Sequence, residues 1–268
     1  MEYKYSDDTL LHSVGFNLQR FVSVLNYGIL SKNKADQLGL TFSKNYIING
    51  QNDDYISMLR VGDINPDESI SAYKLHTIFG ISFIVENIDF VSDRKTNFIH
   101  RTDEVLVKDT ISTDSITGIA IPVMFQNIKL QDIVIIPPDI TSYSILKEIT
   151  MNYVNFLKSY NYDIELENIL VYFNEVKHIN DFMREIKEKK DTEGLTEEDL
   201  QDIREVMADY REVIREINDF LGMETYNCFR KILGDQITLS DVVNYLSNGR
   251  YEIYNIPFDT RVPGGESR

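Results

Sequence analysis

The spacing of apolar residues changes once along this chain, at Pro137-Pro138. Before that point, short β-branched and aromatic runs alternate with turn residues, the pattern of strands. After it, apolar residues recur at helical period. The pattern predicts an α+β fold: a mostly antiparallel β-rich half over residues 1–138, then an acidic helical half over 139–268. Candidate strands are Thr9–Val14, Leu40–Ser43, Tyr55–Leu59, Ile81–Val85, Glu104–Val107, Ile116–Pro122 and Ile133–Ile136. Between the first two lies "NLQRFVSVLNYGILS". There Leu18, Phe21, Val22 and Leu25 fall at helical spacing, and Gly28 is a natural helix stop.

In the second half one helix is expected over about 143–159. A second runs from Leu166 to "KEKK". A third follows an N-cap at Thr196, with Glu197, Glu198 and Asp199 in its dipole-favoured first turn. The stripe Leu200, Ile203, Val206, Met207, Tyr210, Val213, Ile214, Ile217, Phe220, Leu221 gives that helix one apolar face. The connection "KKDTEG" implies that the second and third helices fold back on each other. Ser240 is the expected cap of a last short helix, and the tail "FDTRVPGGESR" has no apolar period.

Charge narrows the function classes. The 268 residues carry a net charge of −16, and residues 161–220 hold 18 acidic against 8 basic side chains. Broad phosphate-backbone binding needs clustered Lys and Arg, so a nucleic-acid enzyme is disfavoured. No apolar run reaches the ~18 residues of a membrane span. The opening MEYKYSDD is unlike a secretory leader, which points to the cytosol or to delivery into a target cell's cytosol. The single cysteine, Cys228, excludes internal disulfides and reads as a small buried hydrophobe. Asp53-Asp54 reads as a turn rather than a metal pair, and no metal site is expected.

Three stretches stand apart. "LLHSV" places His12 inside an apolar strand and runs into the helix "FVSVLNYGIL". "LTFSKNYIING" contains Ser43 and Tyr46. "TDEVLVKDTISTDSITGI" opens a strand at Glu104. In this order they resemble the ADP-ribosyltransferase superfamily, in its poly(ADP-ribose) polymerase-like, His-Tyr-Glu branch. That family has a split antiparallel sheet, a histidine in its first strand, a helix ending in a glycine, and a glutamate heading a late strand. The resemblance covers about residues 8–125. His12 rather than Arg in the first strand, and Thr102 two positions before Glu104, separate the chain from the arginine-modifying branch.

The resemblance implies NAD as substrate and a mono-ADP-ribosyltransferase, a bacterial or phage toxin or effector. Its acceptor would be a protein or nucleic acid, and it could have a cognate immunity or antitoxin partner. Cleaving the nicotinamide–ribose bond passes through an oxocarbenium-like transition state. Glu104 would stabilise the developing charge. His12 would hold a ribose hydroxyl, a positioning effect. The backbone at Ser13 would hold the nicotinamide amide, Tyr46 (with Tyr55 as second candidate) would stack on its ring, and Ser43 would support the site. Two alternatives remain open: an NAD glycohydrolase, with water as acceptor, and a non-catalytic acidic adaptor or antitoxin.

Overall fold

A computed structural model describes residues 9–40, 53–60, 80–90, 104–122, 125, 128–136, 142–192 and 194–256. The chain forms two compact units. One comprises Met1–Lys129 with Asp235–Arg268, the other Leu130–Gly234.

The first unit is built on a sheet of six strands. They are β1 (Leu10–Gly15), β3 (Tyr55–Arg60), β4 (Ile81–Val85), β5 (Glu104–Lys108), β7 (Ile116–Pro122) and β8 (Ile253–Ile256), in spatial order β5-β3-β1-β4-β7-β8. Every neighbouring pair is antiparallel except β7 and β8, which run parallel. A separate ribbon pairs β2 (Ile29–Leu30) with β6 (Thr110–Ile111). Five of the expected strands form within a residue or so of their predicted bounds.

Helix α1 (Leu18–Tyr27) starts where the Asn17 side chain accepts the Arg20 N–H, and ends at Gly28, whose N–H returns to the Val24 carbonyl. Its buried Leu18, Phe21, Val24 and Leu25 cover one face of the sheet, and the Phe21 ring stacks on Phe83 of β4 at 5.1 Å. All five residues of β4 are buried, so this strand has cover on both faces. Each large side chain so buried is worth about 1.5–3 kcal/mol. A short helix, α2 (Lys32–Gln37), follows β2 with Ser31 as its cap.

The end of the chain departs from expectation. Helix α6 (Leu239–Leu246) and strand β8 return to the first unit, whereas the sequence pattern predicts one helical region over residues 139–268. Parallel pairing of Ile119–Pro122 with Ile253–Ile256 draws them back, together with the buried Leu239, Val242 and Val243 of α6. The cap of α6 is Thr238, not Ser240. Asp241 lies three residues after Thr238 and accepts its N–H at 2.8 Å, closing a reciprocal capping box.

The second unit contains α3 (Tyr143–Lys158), α4 (Glu167–Thr192) and α5 (Glu197–Leu233). The predicted Thr196 cap is present, also as a capping box with Asp199. The expected strand Ile133–Ile136 does not form. Its side chains are largely buried, yet the N–H groups of Ile135 and Ile136 donate to the Asn218 side chain of α5, which donates back to the Ile136 carbonyl. One amide thus replaces a neighbouring strand as hydrogen-bond partner. Gly222 lets this segment approach α5: a Cβ there would lie 2.4 Å from the Gln131 carbonyl oxygen. Cys228 is buried as read, and burial pushes its thiol pKa up to about 11.

Candidate functional site

The residues singled out in the first strand and its following helix come together around one recess. Its lining includes His12 and Val14 of β1, Arg20 and Ser23 of α1, and Gly28 and Leu30 beyond the helix. The recess is shallow and open to solvent, with a cavity volume of about 50 Å³, room for part of a small molecule and not for a whole one.

His12 is half-buried, and its Nδ1 lies 3.2 Å from the Ser57 carbonyl oxygen on β3. A carbonyl oxygen only accepts, so this contact puts the proton on Nδ1. The neighbouring Ser13 pairs with Ser82 of β4, and its hydroxyl accepts the Gly15 N–H at 3.2 Å. Gly15 has φ +64°, and the β1–β4 register shifts between Ser13 and Gly15. This bulge turns the chain at the end of β1. Gly80 fits against it: a Cβ there would lie 2.3 Å from the Gly15 carbonyl.

Gly28 explains itself. Its φ is +79°, a region side chains rarely adopt, and a Cβ would lie 2.2 Å from the Ile111 carbonyl oxygen. The helix stop and the close packing of α1 on the β6 turn therefore require the same residue. That turn is shaped by Ser112, whose hydroxyl accepts the Asp114 N–H at 3.2 Å.

Glu104 heads β5 as expected, two strands from β1. In register it is opposite Leu59, which is opposite Leu11, the residue before His12. With strand spacing of about 4.8 Å, the backbones of positions 104 and 12 are on the order of 10 Å apart. Tyr55, the second aromatic candidate, starts β3 half-buried and pairs with Lys108. Ser43 and Tyr46 lie outside the described residues, as do His76 and His100. His178 is an exposed residue of α4.

Asp53 and Asp54 form a turn, as read. Asp53 pairs with Lys32 at 2.8 Å, and Asp54 accepts from the Asn33 side chain at 2.7 Å, tying α2 to the start of β3. Among the described residues no group of three His, Cys, Asp or Glu side chains is placed to hold a metal. Nor does any described helix have the length and apolarity to cross a membrane.

Two residues at this site were missed by the sequence reading. Arg20 brings a guanidinium to the recess. It shares a helix face with Ser23 and Val24, three and four positions on, so the period of α1 already contained the signal. Arg250 had no local signal. Its Nη1 donates to the Leu25 carbonyl at the C-terminal end of α1, 225 positions away, where a cation also suits the helix dipole. Tyr251 beside it donates to the Thr113 carbonyl at 3.3 Å. The returning end of the chain therefore braces both the helix and the turn between which Gly28 packs.

The lining combines an imidazole, a guanidinium and a hydroxyl with apolar walls. Such a set suits an anionic, hydroxyl-bearing small molecule. Comparison with protein-family models, with curated proteins and with solved structures returned no match.

Proposed function

We propose that this protein is a mono-ADP-ribosyltransferase that cleaves NAD between nicotinamide and ribose and transfers ADP-ribose to a macromolecule. One observation carries the reading: the histidine of the first strand and the glycine ending the next helix line one recess. A strand beginning with glutamate lies two places away in the same sheet. These are the features by which the sequence resembles the His-Tyr-Glu branch.

In this reading His12 hydrogen-bonds a ribose hydroxyl and orients the sugar. Arg20 faces the pyrophosphate. Glu104 stabilises the positive charge that develops on the ribose as nicotinamide leaves. The register sets a condition on the last role. In regular pleating a residue in the Leu11 row shares the Leu11 face, and His12 has the opposite one. That role therefore requires a departure from regular pleating at position 104. Tyr46 and the Ser13 backbone keep their proposed roles on the nicotinamide side, and Ser43 supports the glutamate or the ribose.

Incubation with NAD labelled in the adenylate moiety tests the proposal. Label on a macromolecule is the expected outcome. Release of free ADP-ribose alone would instead identify an NAD glycohydrolase using the same site. Glu104→Gln should lower turnover by about 100-fold or more with little change in melting temperature. His12→Ala should weaken both binding and turnover. Unchanged turnover in folded Glu104→Gln protein would falsify the site.

A further inference from the structure

The second unit contains an incomplete helical packing. Helix α3 has 16 residues, α4 has 26 and α5 has 37. At 1.5 Å per residue that is about 24 Å of α3 beside about 55 Å of α5. The contacts fix where α3 lies. Its first residue, Tyr143, meets Phe173 of α4 edge-on at 6.4 Å. Further along, the Tyr153 hydroxyl is 3.0 Å from Thr225 Oγ1, and Tyr160, just past the helix, packs on Phe229. Helix α3 therefore covers α4 up to the turn of Phe173 and only the later part of α5.

Burial follows the same boundary. Where three helices meet, Ile169, Phe173 and Val176 of α4 and Tyr210, Val213, Ile214 and Ile217 of α5 are at most 2% exposed. Beyond it, Ile179, Phe182, Met183 and Ile186 of α4 and Ile203, Val206 and Met207 of α5 are all only half-buried. The apolar period continues to the tip of the hairpin, but two helices alone cannot bury a stripe of that width. The tip is nonetheless fixed: Lys189 pairs with Asp199 at 2.6 Å across it. Within this unit no third described helix lies alongside this distal half.

Charge selects the occupant. Residues 179–207 contain ten Asp and Glu against five Lys and Arg. A second copy of the chain would bring the same acidic surplus to the contact and be repelled. We propose that the distal half of the α4–α5 hairpin docks an amphipathic helix of another protein, its apolar stripe on Phe182, Ile186, Ile203 and Val206 and its flanks basic. The mode is helix-in-groove recognition, with the hairpin supplying two walls and the partner the third. It does not depend on the enzymatic proposal.

The test uses the full chain and fluorescent 18-residue model peptides. One carries Leu at helical period with Lys elsewhere, a second has Glu in place of Lys, and a third is the Leu/Lys composition scrambled to remove the apolar face. The first should bind at least about tenfold tighter than either of the others, because both charge and face are required. On binding, amide exchange should slow over Ile179–Ile186 and Ile203–Met207. The double variant Phe182→Glu/Val206→Glu should lose about tenfold or more in affinity while keeping its helical circular dichroism; if it fails to fold, the exchange map decides. Equal binding of the scrambled peptide, protection elsewhere, or undiminished binding by the folded variant would overturn the proposal. So would sedimentation showing a dimer of this chain joined through the same face.

Discussion

At Gly28 a Cβ would lie 2.2 Å from a backbone oxygen, at a φ of +79°. No flexible side chain can yield there, because the atom it would strike is the Ile111 carbonyl. Gly28→Ala should destabilise the protein by roughly 1–3 kcal/mol, read as a drop in melting temperature, since it meets both a conformational and a steric penalty. Gly39 makes the control. Its φ is +68° but nothing lies within 4 Å of its Cβ position, so Gly39→Ala should cost distinctly less. Gly28 was legible in the sequence as a helix stop. The neighbour that makes it obligatory was not, because Ile111 is distant in sequence and reaches it only through pairing with Ile29.

At the scale of elements, one carboxylate ties together the tip of the α4–α5 hairpin. Asp199 accepts from Lys189, from the Thr196 hydroxyl and from the Thr196 N–H, at 2.6, 2.7 and 2.8 Å respectively. Lys189 above all, then Thr196, holds its pKa at about 2, below the ordinary 3.8. A depressed carboxylate pKa contributes stability that is complete above the ordinary value and disappears as pH falls through the folded one. The melting-temperature difference between wild type and Asp199→Asn should therefore be constant above about pH 5 and shrink between about pH 4 and pH 2. A difference that does not change over that interval would show that the pairing is not what holds the tip. The Thr196 cap and the acidic first turn were legible because capping is local. The failed strand Ile133–Ile136 shows the converse: its composition suits a strand, but Asn218 occupies the hydrogen bonds a neighbouring strand would need.

At the scale of the whole molecule, the first unit is discontinuous in sequence, closed by residues 235–256 after the second unit has been made. A chain ending at Gly234 should retain the helices of the second unit. It should lose the parallel partner of β7, the buried face of α6 and the braces from Arg250 and Tyr251. An exposed apolar edge at β7 also invites association with other chains. Circular dichroism and limited proteolysis should show protected helices beside a cleaved or aggregated β unit. A truncated chain whose β unit resists protease as the full chain does would refute the dependence.

The sequence alone determined five strands, the longer helices, the Gly28 stop and the Thr196 cap, because period, turn chemistry and capping act within a few residues. It also brought His12, Gly28 and Glu104 into consideration as one set. Tertiary structure decided which strands are neighbours, that Arg20 and His12 share a recess, and that the last strand returns to β7. Those outcomes depend on which apolar faces bury one another and which distant groups satisfy a backbone amide, and no local pattern encodes the partner.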